Sequence, residues 1–337
     1  MADFLQILNT NFSELQYYTK LKRVKVAVLD TGIDATHPWV KGRINASYRF
    51  EQNETGSFIP KKLRKGSNNA LGGHGTEIAS RIAMFAPNAE IIDIRVLDLD
   101  YAAGGGLNDL VIEGFKLAIS LGAKVINMSY TARKAIERRI APLCESAYRK
   151  HLFVVAAKRN NPLQDDLGFP AELSSVIAVD KADFPFFFDV KYTGEPPIEF
   201  AAHGENIEVA QIYPPGHSDM PISHRATGTS YATATVSAII ALLLGQYPQL
   251  EFFEIKTLLK YFSDKRRTKM NKHIKNEKED EKHITEGIPV DDLDVMPESY
   301  CTCPNCRTRF YVNRLAPYVR CPNSKCKMLL PLWGDKF

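Results

Sequence analysis

The sequence predicts an α/β fold, a mostly parallel central sheet between helical layers, followed by a small cysteine-rich module. Two observations carry this. Five apolar runs, Val24–Leu29, Ile91–Val96, Lys124–Met128, Leu152–Ala156 and Ser175–Val179, alternate with helical patterns at Leu107–Leu121 and Lys134–Lys150. Apolar runs without a polar face are strands buried on both sides, and their alternation with helices implies a parallel sheet. Five of the six cysteines crowd between Cys301 and Cys326. At 337 residues, with 45% hydrophobic and 24% charged, the chain has room for one large core and an appendage.

Taken in order, residues 1–22 read as a short amphipathic helix packed on the domain through Phe4, Leu5, Ile7, Leu8 and Phe12. Acids at Asp3 and Glu14, with no basic stretch before an apolar core, set this segment apart from a secretory signal. Residues 23–262 form the main domain. Its first strand ends in Val28-Leu29-Asp30-Thr31-Gly32, which places a carboxylate at the C-terminal end of a buried strand, the edge where open parallel sheets bind ligands. Gly73-His74-Gly75-Thr76 leads into a helical stretch, Glu77 to Phe85. The run Phe153–Ala157 ends in Lys158-Arg159-Asn160, so an amide donor stands at another strand end. Gly228-Thr229-Ser230-Tyr231-Ala232 opens a long apolar helix, and a serine there sits beside unpaired backbone N–H groups and the positive end of the dipole. The most apolar part of that helix, Ala238–Leu244, is too short to span a bilayer.

An acid, an imidazole and a hydroxyl are the parts that make a serine nucleophilic near neutral pH, because the hydroxyl needs a base and the base an orienting carboxylate. An isolated Asp-Thr-Gly is often only a turn, and an isolated His or Ser is usually structural. The ordered set is specific. The remaining histidines, among them His151, His203 and His224, lack the glycine context and read as surface or satisfied core residues.

In this order the segments resemble the subtilisin-like serine proteases, from about Val24 to Phe262. The resemblance implies a subtilisin-like three-layer fold and an endopeptidase that works through an acyl-enzyme. It casts Asp30, His74 and Ser230 as the triad and Asn160 as the oxyanion donor, with Asp34 and His37-Pro38 continuing the aspartate motif. Ala86-Pro87 with Ile94–Leu97, and Val125-Ile126-Asn127-Met128-Ser129, are similar to further family stretches. Gly105, Gly106, Ser129, Tyr130 and Thr131 are the implied substrate-binding residues.

The departures from the family fall near the substrate. Arg159 stands where the family has Gly before the asparagine. Tyr130-Thr131-Ala132 replace Leu-Gly-Gly in a wall of the pocket for the residue before the scissile bond, and Ala234-Thr235 replace Pro-His after the serine. Side chains in place of glycines are expected to narrow or reshape that cleft. Secreted members begin with a sizeable pro-segment, whereas about twenty residues precede the first strand here, so the expectation is a cytoplasmic enzyme. Calcium is common in the family, and no loop here has a recognisable ligand spacing. The rival reading is a protease fold that no longer turns over and docks a partner through its cleft or its C-terminal module.

Residues 263–299 read as a charged linker, from Lys265-Arg266-Arg267 through Glu277–Lys282 to Pro289 and Pro297. Residues 300–337 resemble a zinc ribbon: Cys303 and Cys306 form a C-x-x-C pair, and Cys321 and Cys326 a wider one. Two close thiolate pairs close a tetrahedron around a structural zinc, which lets a piece with little core fold. Cys301 is a spare ligand, and disulfides are the alternative in an oxidising compartment. From Cys301 onward there are seven basic residues against one acid, which favours docking on a protein partner, or a purely structural role offsetting the charge of a zinc–thiolate centre, over nucleic acid. Nothing points to a membrane. Cys144 reads as a buried small hydrophobe.

Overall fold

The computed structural model describes residues 15, 20–101, 106–132, 134–160, 168–184, 188–195, 197–212, 222–263, 288–289, 300–302, 309–311, 318–320 and 329–331. The chain divides into two units, Met1–Arg266 and Arg267–Phe337. In the first, β1 (Val24–Asp30), β2 (Ile44–Gln52), β3 (Phe58–Lys62), α1 (His74–Phe85), β4 (Ala89–Arg95), α2 (Gly106–Ser120) and β5 (Val125–Met128) come first. They are followed by α3 (Glu137–Arg149), β6 (Phe153–Ala157), β7 (Ile177–Ala182), β8 (Val190–Glu195), β9 (Ile198–His203), β10 (Ile207–Ala210), β11 (Ser223–Ala226), α4 (Thr229–Gln246) and α5 (252–263).

Nine strands form one sheet in the order β3-β2-β4-β1-β5-β6-β7-β9-β8. The seven inner strands are parallel, and β3 and β8 are antiparallel edges. Every residue of β5 and β6 is buried, as continuous apolar runs require. The expected strands lie at β1, β4, β5, β6 and β7, with bounds shifted by up to three residues. Strands β2, β3 and β8–β11 were not anticipated. β2, INASYRFEQ, buries Ile44, Ser47 and Phe50 and leaves polar residues between them, so its sequence carries no apolar run.

Helices α2 and α3 pack together on one face, and α1 and α4 on the other. That gives the three layers. From Thr229 to Gly245 every residue of α4 is buried, as a helix apolar all round must be. By length and composition α4 could cross a membrane, yet 94% of it lies inside the fold. Small residues, Ala, Ser and Thr, carry the buried stretch beyond Ala238–Leu244 back to Ser230.

The chain leaves β1 toward β2 on one side of the sheet and leaves β5 toward β6 on the other. Between β1 and β5 the direction of winding therefore reverses, and a crevice opens at their C-terminal ends.

In the second unit, β12 (Ile288–Pro289), β14 (Arg309–Tyr311) and β13 (Tyr300–Thr302) pair antiparallel in that spatial order, and β15 (Tyr318–Arg320) pairs with β16 (Leu329–Pro331). β12 falls in the stretch expected to be linker. Cys303, Cys306, Cys321 and Cys326 lie outside the described residues, as does Gly105. So does most of the expected N-terminal helix, of which Leu15 is helical and fully buried.

Candidate active site

Asp30 is the last residue of β1 and is fully buried. Its Oδ1 accepts the Thr31 N–H at 2.7 Å and lies 2.7 Å from Nδ1 of His74, the first residue of α1. The two segments are locked by backbone N–H groups bonded to threonine hydroxyls across them. Gly75 donates its N–H to Thr31 Oγ1 at 3.0 Å, and Asp34 donates its own to Thr76 Oγ1 at 2.9 Å. This closeness is what the motif glycines are for. A Cβ on Gly75 would stand 2.3 Å from the Gly32 carbonyl oxygen, and one on Gly32 would stand 2.1 Å from that of Asn69. Gly32 is also in the left-handed region, at φ +87°, which no β-carbon residue adopts without strain.

The loop before His74 is held from the sheet. Asn69 donates to the Tyr48 carbonyl at 3.0 Å and to buried Asp93 Oδ2 at 2.8 Å. Burial lifts the Asp93 carboxyl to about 7 against the hydrogen bonds from Asn69 and Ser47 that favour its charge. Sequence reasoning missed this clamp, since a lone Asp in an apolar strand has no motif around it.

Ser230 is the second residue of α4 and is 9% exposed. Its hydroxyl donates to the Ser129 carbonyl at 2.7 Å, while Ser129 Oγ donates to the Ser230 carbonyl at 2.8 Å. Asn127 donates to Ser129 Oγ at 2.9 Å and accepts from Ser237 at 2.9 Å, so a chain of polar groups ties the end of β5 to α4. From the end of β6, Lys158 offers its carbonyl to Thr229 Oγ1 at 2.7 Å, and Asn160 Oδ1 accepts the Thr229 N–H at 3.0 Å. The Asn160 amide nitrogen lies 3.8 Å from where a Cβ on Gly228 would stand, beside the start of α4.

Among the implied substrate-binding residues, Ser129 thus braces Ser230. Gly106 opens α2, where a Cβ would meet the Tyr101 carbonyl at 2.5 Å, a structural reason for glycine. Burial raises the Tyr130 hydroxyl's pKa, and the nearby Asp30 charge adds to it. Thr131 packs on Gly168, and Ala132 bridges to Phe169, its N–H donating to the Phe169 carbonyl at 2.8 Å.

Burial disfavours a charged His74, but the charge and hydrogen bond of Asp30 and the charge of Glu77 outweigh it and hold the ring's pKa at about 9. Glu77 and Tyr231 belong to the site's surroundings and were not singled out in the sequence. The only available signals were an acid three residues after the histidine and an aromatic residue next to the serine. His203 fits its core reading: burial, then the charge of Arg81, pushes it down to about 4, and its Nδ1 accepts the Phe184 N–H at 3.2 Å. His224 differs, because its Nε2 lies 3.6 Å from Glu77 Oε1. Cys144 is buried, with its thiol pushed up to about 12 by burial. Among the described residues no cluster of three or more His, Cys, Asp or Glu could hold a metal ion.

A carboxylate-bound imidazole, a serine at a helix start and an amide at a strand end are the parts of an acyl-transfer site. The chain matches the model of the subtilase family over residues 22–276. It is 30% identical over 240 residues to the intracellular serine protease of Paenibacillus polymyxa, spanning 67% of this chain and 68% of that protein. It is 28% identical over 253 residues to subtilisin DY of Bacillus licheniformis, spanning 70% and 82% respectively. Among solved structures, fervidolysin from Fervidobacterium pennivorans superposes with a TM-score of 0.53 at 24% identity, covering 73% of this chain and 40% of that one. The fold, the ordered motifs and these relatives together place the chain in the subtilase family, as a serine-type endopeptidase.

Proposed function

We propose that this chain is an intracellular endopeptidase that cuts peptide bonds through Asp30, His74 and Ser230 and an acyl-enzyme intermediate. The observation that supports this most is the 2.7 Å contact between His74 Nδ1 and buried Asp30 Oδ1, at the sheet edge where Ser230 opens α4. Asp30 keeps the proton on Nδ1 and leaves Nε2 as the base. Ser230 Oγ, resting on the Ser129 carbonyl, turns toward His74 when substrate enters, since catalytic hydrogen bonds tighten only in the complex. Oγ then bonds to the peptide carbonyl carbon while its proton passes to Nε2. The oxyanion is held by the Asn160 amide and the Ser230 backbone N–H, aided by the positive end of α4. The imidazolium protonates the leaving amine as the C–N bond breaks, and water releases the acyl group by the same route in reverse.

The intracellular assignment is supported by similarity to a relative named an intracellular serine protease. For the second unit we propose one structural zinc on Cys303, Cys306, Cys321 and Cys326. The donor set is two close thiol pairs, each falling in sequence between two strands that pair antiparallel. Zinc there contributes folding energy and no step of the cleavage. The excess of basic residues from Cys301 onward suits docking on an acidic protein partner.

Ser230→Ala is expected to abolish peptide hydrolysis and covalent labelling by a fluorophosphonate, with an unchanged near-UV circular dichroism spectrum. Equal hydrolysis by variant and parent would exclude Ser230 as the nucleophile.

A further inference from the structure

Glu77 lies three residues after His74, in the same first turn of α1. Its side chain is only 13% exposed. Oε2 accepts the Tyr231 hydroxyl at 2.6 Å, and Oε1 stands 3.6 Å from His224 Nε2. Oε1 also lies 2.9 Å from where a Cβ on Gly73 would be, so the carboxylate folds back over the residue that precedes His74. A carboxylate in a first turn ordinarily serves the helix dipole from the surface. This one is turned inward onto a phenol from another helix.

Tyr231 directly follows Ser230 and is 8% exposed. Its ring centroid is 6.1 Å from that of His74, tilted by 51°. The groups facing the imidazole are therefore Asp30 from β1, Glu77 from its own helix, and the Tyr231 ring from α4. His224, from β11, faces Glu77 in turn.

We infer that Glu77 is a positioning residue of the active site, a second carboxylate that pins Tyr231 beside His74 and joins its charge to that of Asp30. The assignment rests on the proposed triad for its catalytic meaning. The Tyr231 hydroxyl cannot swing while it donates to Glu77, so the residue after the nucleophile is fixed from outside its own helix. The backbone N–H of Ser230, an oxyanion donor, lies in the same helical turn. Burial, followed by the hydrogen bond and charge of Glu77, raises the Tyr231 hydroxyl's pKa, so it stays a donor across the working pH range.

The decisive measurement is a 15N-histidine NMR titration of His74 in Ser230→Ala protein, with and without Glu77→Gln. Glutamine still accepts the phenol's hydrogen bond but carries no charge. The pKa of His74 is expected to fall by about half a unit or more, and the acid limb of kcat/KM in otherwise parental protein to move down with it, roughly threefold in rate on that limb. Tyr231→Phe keeps the charge and loses the tie, so the limb should hold its place while the kcat plateau drops several-fold. An unmoved His74 titration in the Glu77→Gln protein overturns the electrostatic part, and an unchanged plateau in Tyr231→Phe overturns the positioning part. Should the parent refuse fluorophosphonate while His74 still responds to Glu77, the hydrolytic mechanism falls and the coupling between the two side chains stands.

Discussion

At His74, desolvation pulls the ring toward neutrality and two carboxylates pull it toward charge, and the carboxylates win. A general base works only when neutral. With the ring held at about 9, kcat/KM is expected to climb with pH and reach half its plateau near pH 9, a profile read with any soluble peptide substrate. A midpoint near 6.5, the value of a free histidine, would show that Asp30 and Glu77 do not hold the ring. The stability term has the opposite sense. A folded pKa raised above the unfolded value stabilises the protein fully below about pH 6.5 and loses that contribution as pH rises through about 9. The enzyme should therefore be most active where the Asp30–His74 ion pair has just ceased to contribute to its stability. Asp30, His74 and Ser230 were legible in the sequence because close backbone approach forces glycines beside the first two, and Gly32 and Gly75 advertise it. Glu77 and Tyr231 were not, because their contact joins positions 154 apart and imposes no glycine on either.

Among the elements, β5 and β6 lie side by side and both run out beside Ser230, the first through Ser129 and the second through Asn160. The family resemblance implies that the Tyr130-Thr131-Ala132 segment, which continues β5, forms a wall of the pocket for the side chain before the scissile bond. There a Cβ on Gly168 would stand 2.6 Å from both Cβ and Cγ2 of Thr131, and Ala132 is bridged to Phe169. Thr131, where the resemblance implies glycine, therefore packs directly on Gly168. Cleavage is expected after small residues, Gly, Ala or Ser. Thr131→Gly should raise kcat/KM for a Phe substrate relative to its Ala counterpart by roughly tenfold, about 1.4 kcal/mol of transition-state binding. An unchanged ratio would mean that the acyl side chain lies elsewhere. The expectation itself comes from the sequence, because Thr131 and Ala132 depart from the family's glycine pair. Five of the inner strands, β1, β4, β5, β6 and β7, could be read too, as apolar runs. The edge strands could not: β3, FIPKK, buries only Phe58, and four exposed residues in five leave no periodic signal.

For the whole molecule, the family match ends at residue 276, ten residues beyond the last residue of the first unit, Arg266. Everything that positions the site, from Asp30 to the buried helix α4, belongs to that first unit. The second unit carries all the cysteines except Cys144 and, from Cys301 onward, seven basic residues against one acid. A core of the first unit's size can fold without a metal, whereas strands of two or three residues are the kind of piece that a structural metal lets fold. A chain ending at Asn276 is therefore expected to fold, to label with fluorophosphonate at the parental rate and to contain no zinc. The full chain should contain one zinc, lost with Cys306→Ser, and a chelator should leave its labelling rate unchanged while removing the metal. Loss of labelling on chelation or truncation would show that the second unit supports the catalytic one, and an equal zinc content in the truncated chain would place the metal outside the four cysteines.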